Sequence, residues 1–209
     1  MSEQSAGPKR AYRSTVRAER AAATRARIAA AAHELFQQHG FAGTTVAAIA
    51  ARAGVTPQTV YSGFGSKGAI VSALVTGMEA DAGSLQWLEK MNAEPDPGRR
   101  LEYFARWTAA FFSATAATDG FLREAATDPA VVELREEGDR RRRAGVTRLV
   151  EGIAAQGALA PGLSIIAAVD QAWMLTGLEL YLAARDGCGW PAEAYAEWLG
   201  ELLRSQLLG

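Results

Sequence analysis

The chain has 209 residues, of which 49% are hydrophobic and 22% charged, and its formal net charge is −1. These values are typical of a soluble globular protein, and the length allows one large domain or two small ones. No stretch reaches the roughly 18 uninterrupted apolar residues of a membrane span, and the polar N-terminus lacks the apolar core of a secretory signal. The single cysteine, Cys188, excludes an intrachain disulfide, so we expect a cytoplasmic protein.

Charge is unevenly distributed along the sequence. Residues 1–67 contain nine lysines and arginines against three acidic residues, whereas residues 68–209 contain 13 basic and 20 acidic residues. A basic N-terminal segment on an acidic body favours contact with a polyanion through the N-terminal part alone. A basic tail without any partner is the alternative interpretation.

The N-terminal third of the sequence predicts a tail followed by four helices. Residues 1–13 are polar, and we expect them to form a disordered basic tail. Apolar residues at helical spacing predict a first helix that ends at Gly40, a residue suited to a left-handed C-terminal position. Two short helices follow at 46–52 and 57–63, and a longer one is predicted over about 66–91.

The C-terminal part begins after a proline-rich breaker and predicts helices rich in apolar and aromatic residues. The predicted spans are 99–118, 119–127, 130–156, 164–185 and 191–208. No segment has the alternation of a strand, so we predict an all-α fold. The helix at 164–185 is apolar on nearly all of its faces, which indicates burial on more than one side.

The segment 44–67 has the spacing of a helix-turn-helix. Ala50, Gly54 and Val60 supply the small residue, the turn glycine and the aliphatic residue that two closely crossing helices require. The second of these helices carries short and medium polar side chains outside, which suits a recognition helix in the major groove of DNA. A generic helical hairpin is the alternative.

The polar residues of this segment have distinct predicted roles on DNA. Gln58 can pair with adenine, and Thr59 can contact a thymine methyl group. Tyr61 and Lys67 are suited to phosphates, as are the free N–H groups at the starts of the second and fourth helices. Packing of the Tyr61 ring in the core is the alternative for that residue. The predicted DNA-binding residues are Thr44, Thr45, Thr56, Pro57, Gln58, Thr59, Tyr61, Ser62 and Lys67.

The run 24–74 resembles the DNA-binding domain of the TetR family of transcriptional regulators. The motifs that carry the resemblance are Thr24-Arg25, Gly40-Phe41, Thr44-Thr45-Val46, Ile49-Ala50, Ala53-Gly54-Val55, Thr59-Val60-Tyr61, Phe64 and Ser66-Lys67. Gly63 departs from the pattern, since the family often has histidine or another large polar residue there, so a DNA contact at this position is not carried over.

The resemblance implies an all-helical homodimer of about nine helices per chain, with a helix-turn-helix domain at 14–65 and a ligand-binding and dimerisation domain at 66–209. Its implied partners are a palindromic operator in double-stranded DNA and a small hydrophobic ligand that releases a repressor from it. The last two long helices would form the dimer interface.

A ligand cavity in the C-terminal domain is also implied by the resemblance, although core packing explains each aromatic residue by itself. The scarcity of basic residues on the helix at 164–185 favours a flat or hydrophobic ligand that is neutral or cationic. The expected ligand-binding residues are Tyr103, Phe104, Trp107, Phe111, Phe121, Leu149, Asp170, Trp173 and Met174.

The sequence predicts no catalytic residues, no metal site and no cofactor. Both histidines, His33 and His39, lie in the first helix, so the C-terminal domain cannot build a histidine-based triad or metal site. A glycine pattern at 63–68 matches a dinucleotide fingerprint but lacks the preceding strand. A carboxylate-based enzyme and an architectural DNA-binding protein without a ligand are the alternative functions.

An arginine run at 140–143 resembles a nucleic-acid patch, but acidic residues stand four positions earlier on the same helix. Pairs at this spacing form on one face of a solvated helix. We therefore predict ion pairs rather than a binding site: Glu136–Arg140, Glu137–Arg141 and Asp139–Arg143.

Overall fold

A computed structural model of the chain describes residues 8–81 and 84–209. Residues 1–7, which belong to the predicted tail, lie outside the described residues, as do 82–83. The described part is helical apart from turns and one isolated bridge between Leu159 and Leu208, so the all-α prediction is confirmed. The helices are α1 (Pro8–Gly43), α2 (Val46–Ala53), α3 (Pro57–Phe64), α4 (Lys67–Asp81), α5 (Ser84–Ala93), α6 (Pro97–Thr115), α7 (Asp119–Glu124), α8 (Pro129–Ala154), α9 (Ile165–Leu175), α10 (Leu178–Leu182) and α11 (Ala192–Leu207).

The first helix differs from its prediction at the start and agrees with it at the end. It begins at Pro8, so residues 8–13 of the expected disordered tail are helical. The backbone leaves helical geometry at Gly40, where φ is 69°, and the ring of Phe41 then packs on Phe36 with 5.7 Å between centroids. Glycine takes this left-handed conformation without the steric cost that a Cβ atom imposes.

The predicted helix over 164–185 is interrupted between α9 and α10. Gly177 has extended geometry, with φ −76° and ψ 154°, and the Thr176 hydroxyl donates to the Ala172 carbonyl at 2.7 Å. A wider π turn follows α10 at Ala183–Gly187. Because a hydroxyl that bonds back to its own helix bends that helix, an uninterrupted apolar pattern does not predict this break.

The chain divides into two compact units. One contains the chain up to Leu74 together with Gly120–Val131, and the other contains Val75–Asp119 and Val132–Gly209. The unit boundary therefore falls within α4 instead of at the predicted position 65/66. The N-terminal unit is also discontinuous in sequence, which the prediction did not include.

The core of the N-terminal unit explains this division. Ile70 and Val71 of α4 are fully buried in it, so the start of α4 belongs to this unit. Phe121 of α7 is also buried there, with its ring centroid 5.3 Å from that of Phe36. The remaining buried members are Ile28, Ala31, Ala32, Ile49, Ala50, Ala53, Val60, Ala125 and Val131.

The C-terminal unit has a separate core in which α11 packs against α6 and α9. The stripe Leu199, Leu203 and Leu207 of α11 is completely buried within the same chain. Gly200 of α11 faces α6, where a Cβ atom would meet the Glu102 backbone at an ordinary contact distance of 3.5 Å. The inner face of α11 therefore stabilises the unit itself.

The run Ile165–Gly187 is long and apolar enough, by length and composition alone, to cross a membrane, and 33% of its apolar window is buried. Helices in the core of soluble proteins meet the same criterion. Ala168, Val169 and Ala172 of this run are buried in the core of the C-terminal unit.

Candidate nucleic-acid interface

The helices α2 and α3 cross through the three residues that the sequence indicates. Ala50 and Val60 are each 1% exposed, and Gly54 between the helices is left-handed, with φ 65° and ψ 39°. The Val55 N–H donates to the Ala50 carbonyl at 3.0 Å, which closes the turn. The buried contacts and the turn together fix the position of α3 on the N-terminal unit.

The first turn of α3 is held by a side-chain cap. The Thr56 hydroxyl accepts the Thr59 N–H at 3.2 Å and lies 2.9 Å from the Thr59 hydroxyl, while Pro57 occupies the first helical position. A cap of this kind contributes about 1 kcal/mol to helix stability. It also fixes the orientation of the helix start, where a recognition helix meets base edges.

The outer face of α3 is polar and accessible. Gln58 and Ser62 are exposed, and the Tyr61 side chain is 50% exposed instead of packed in the core. Thr59 is half-buried beside the cap. A short helix with an apolar anchor inside and an amide, a hydroxyl and a phenol outside can donate to and accept from base edges and phosphates.

The two threonines before α2 differ in accessibility. Thr45 is exposed and caps α2 by accepting the Ala48 N–H at 3.1 Å. Thr44 is only 2% exposed, and its hydroxyl donates to the carbonyls of Leu35 and Gly40 at 3.1 and 2.8 Å. The predicted DNA contact by the Thr44 side chain is therefore corrected, because this hydroxyl closes the end of α1.

Lys67 is likewise engaged inside the N-terminal unit. Its ammonium donates to the carbonyls of Phe41 and Thr44 at 2.5 and 2.9 Å and lies 4.0 Å from the centre of the Phe41 ring. Burial lowers the pKa of Lys67, and the carboxylates of Asp128 and Glu124 oppose that effect. In the free protein Lys67 thus forms a brace between the start of α4 and the connection from α1 to α2, and its phosphate contact stays a prediction.

Arg25 is a contributor that the sequence analysis does not identify. Its guanidinium donates to the Gly63 carbonyl and lies 4.2 Å from the centre of the Phe64 ring. Arg25 therefore holds the C-terminal end of α3 against α1. The Thr24-Arg25 motif is the sequence signal that could have indicated this role, although it gives no contact partner.

The described residues contain no group of three or more histidine, cysteine or acidic side chains that could hold a metal ion. The residues before the glycine pattern at 63–68 form the helix α3 and not a strand, so this pattern is no dinucleotide site. His33 packs edge-on against Phe121, with 6.3 Å between ring centroids.

The expected ligand-binding residues do not all lie together. Phe104 and Leu149 are buried in the core of the C-terminal unit, and the half-buried rings of Trp107 and Phe111 continue a stack from Phe104 at centroid distances of 5.9 and 5.6 Å. Phe121 is a correction, because it packs in the N-terminal unit.

The surroundings of Trp173 are more polar than expected. The guanidinium groups of Arg142 and Arg143, both from α8, lie 4.4 and 5.6 Å from the centre of its ring. Asp170 forms an ion pair with Arg143 at 2.5 Å, and Met174 is 63% exposed. The scarcity of basic residues on α9 therefore does not make this region apolar, since a neighbouring helix supplies two cations.

Two of the three ion pairs predicted for the arginine run are present: Arg140–Glu136 and Arg141–Glu137, each at 3.8 Å. The third is replaced, because Arg143 reaches across to Asp170 and Asp139 pairs with Arg142 at 3.3 Å. Arg142 also donates to the Trp173 carbonyl at 2.6 Å. The run thus joins α8 to α9 within the C-terminal unit.

Comparison with known families identifies the N-terminal segment. Residues 28–74, which contain the helix-turn-helix, match the family model for bacterial regulatory proteins of the tetR family. No curated protein sequence matches the chain. Because the matching family consists of regulatory proteins, the prediction that the chain is not an enzyme is confirmed.

Solved structures extend the similarity to the whole fold. A TetR-family regulator from Mesorhizobium loti is 20% identical with a TM-score of 0.67, covering 91% of this chain and 99% of its own. The SmeT–triclosan complex is 20% identical with a TM-score of 0.70, covering 90% and 92%. FadR from Bacillus subtilis, bound to stearoyl-CoA, is 17% identical with a TM-score of 0.65, covering 85% and 96%. Residues 28–74 thus match the tetR family model, and the fold of the chain as a whole is similar to that of TetR-family transcriptional regulators.

Proposed function

We propose that this chain is a TetR-family repressor that binds a palindromic operator as a homodimer and is released by a small hydrophobic ligand. The observation that carries the DNA-binding part is the outer face of α3. Val60 anchors the helix from inside, and Gln58, Tyr61 and Ser62 stand accessible on the outside. Gln58 is the residue suited to a bidentate contact with adenine.

Phosphate contacts are assigned to groups that the fold leaves accessible. Thr45 at the start of α2 and Tyr61 on α3 are exposed, and Arg20 and Arg27 are exposed on α1. Cationic and polar groups of this kind position a protein on the DNA backbone without reading sequence. The basic excess of residues 1–67 supports the same assignment.

The proposed dimer uses the outer face of α9. Ile166 is 75% exposed and Met174 63%, and their spacing of eight residues places both toward one side of this helix. Large apolar side chains grouped on a surface are typical of an interface. We propose a second copy of the chain as the partner that covers this face. One recognition helix contacts few base pairs, whereas a two-fold dimer reads a palindrome.

The ligand part of the proposal is supported by the half-buried aromatic residues of the C-terminal unit, among them Trp107, Phe111 and Trp173. Solved structures of similar fold are complexes with triclosan or stearoyl-CoA. Release requires a ligand that binds the DNA-incompetent state more tightly than the DNA-competent one, since equal affinity shifts no population. We place the protein in the cytoplasm, where its operator lies.

The test is a selection of random duplex DNA by the full chain, followed by affinity measurements on the selected site. We expect a palindromic site, and we expect Gln58→Ala to weaken binding by about 1–3 kcal/mol with loss of preference at one position per half-site. Gln156→Ala, which changes an exposed glutamine of the C-terminal unit, is the control. The proposal is wrong if no sequence is enriched or if Gln58→Ala leaves affinity and base preference unchanged.

A further inference from the structure

A surface groove of about 380 Å³ lies between α5 and α6 of the C-terminal unit. Two helices supply its walls, and three of its six lining side chains are cationic. The lining residues are Trp87, Lys90, Arg99, Glu102, Tyr103 and Arg106. Tyr103 is the one residue of this set that the sequence analysis assigns to a ligand.

The groove side of α6 is a continuous polar and aromatic face. Its four members occur at positions i, i+3, i+4 and i+7 along 99–106, so they project from one side of the helix. The other side of α6, which carries Leu101, Phe104 and Ala105, is buried in the core of the C-terminal unit. Because these buried residues fix the orientation of the 19-residue helix α6, its groove residues project away from the core.

Positive charge in the groove is only partly balanced. The Glu102 carboxylate accepts a hydrogen bond of 2.8 Å from the guanidinium of Arg204, a residue of α11. Among the described residues, the side chains of Arg99 and Arg106 have no carboxylate partner, and Lys90 lies 4.7 Å from the centre of the Trp87 ring. Residues 68–209 carry an acidic excess, so this concentration of cations is not an effect of overall composition.

Two aromatic rings complete the groove. Trp87 and Tyr103 lie with 6.2 Å between ring centroids and an interplanar angle of 40°. The exposed parts of such rings provide flat apolar surface for stacking, while cations beside them bind an anionic group. Shape, charge and flat surface thus favour a ligand that is both planar and negatively charged.

We propose that the groove between α5 and α6 binds a small planar aromatic anion, with its ring system on Trp87 and Tyr103 and its carboxylate or phosphate on Arg99 and Arg106. This ligand class differs from the neutral or cationic one that the composition of α9 favours. Binding in the groove requires no DNA, so it is measured on the free protein and its outcome does not depend on the operator.

The experiment compares three probes with the same ring: 2-naphthyl phosphate, 2-naphthoate and 2-naphthol. Isothermal titration calorimetry on the full chain should give the tightest binding for the phosphate and the weakest for the neutral naphthol. The double variant Arg99→Gln/Arg106→Gln should weaken phosphate binding about tenfold, as loss of two exposed charge pairs predicts, and leave naphthol binding unchanged.

The matched control is Arg123→Gln/Arg148→Gln, which removes two exposed arginines outside the groove. Circular dichroism checks that both double variants fold as the parent does. We expect this result because all four replaced arginine side chains are exposed. Equal affinity for naphthol and naphthyl phosphate overturns the proposal, as does unchanged phosphate binding by the groove variant. Displacement of the probe by non-operator duplex DNA would also overturn it, by assigning these cations to nucleic acid.

Discussion

Replacing Lys67 by methionine keeps the length and apolar stem of the side chain and removes its ammonium. That group donates to the backbone carbonyls of Phe41 and Thr44 and lies over the Phe41 ring. The two carbonyls flank the connection between α1 and α2. We therefore expect Lys67→Met to weaken the N-terminal unit and to leave the exposed polar groups of α3 in place.

The magnitude follows from the two hydrogen bonds. A bond from a charged donor contributes about 1.5–3 kcal/mol, and the burial that lowers the pKa of Lys67 offsets part of this gain. We expect a loss of about 2 kcal/mol in the free energy of unfolding. For a chain of this size, this corresponds to a fall of about 4–8 °C in Tm.

Denaturant unfolding measures the loss of stability, and DNA binding at several salt concentrations separates the brace from a phosphate contact. Loss of one phosphate contact lowers the slope of log K against log salt by about 0.9, whereas loss of a brace leaves the slope unchanged. Arg123→Met, at an exposed position of α7, is the control for removal of a charge. A Lys67→Met variant with parental stability and a reduced salt slope would refute the assignment.

Three further changes test the fold and the proposed dimer. Gly54→Ala places a Cβ atom at φ 65° and should cost about 1–2 kcal/mol in urea unfolding; parental stability would contradict the role of the turn. Ile166→Glu should give a folded monomer in sedimentation, whereas Leu199→Glu should unfold the chain because that side chain is completely buried; a persistent Ile166→Glu dimer would exclude the α9 interface. Tyr195→Phe removes a buried hydroxyl that has no partner among the described residues, and should raise stability by about 1 kcal/mol at neutral pH. Burial, with a smaller effect of Tyr181, raises the pKa of Tyr195 from 10.0 to about 12, so the parent should lose stability between these pH values and the variant should not; a parallel alkaline decline in both would contradict this.

The helix-turn-helix was predictable because its determinants are local. Ala50, Gly54 and Val60 lie within eleven residues, and each performs a steric task that few other residue types can perform. The caps at Thr45 and Thr56 are local for the same reason. The accessible face of α3 then follows from helix geometry, since burial of one side exposes the other.

Other parts of the candidate site depend on contacts that spacing does not encode. The carbonyls that hold Lys67 are 23 and 26 residues earlier, and Phe121 packs on a ring 85 residues away. A sequence shows that a lysine is present, but it does not show whether the lysine ammonium donates to a carbonyl or to a phosphate. The groove is an intermediate case: the helical spacing of Arg99, Tyr103 and Arg106 is visible in the sequence, whereas the contribution of α5 is not.

The discontinuous N-terminal unit has a consequence for the order of events during synthesis. Helices α1 to α3 and the start of α4 are complete when Leu74 has been made, but their core lacks Phe121, Ala125 and Val131 until the ribosome has added 57 more residues. At about 5–20 residues per second this interval lasts roughly 3–11 s. During that time the nascent helix-turn-helix exposes an apolar gap, so we expect a chain released before Val131 to carry α3 on an incomplete core and to be degraded faster than the full chain.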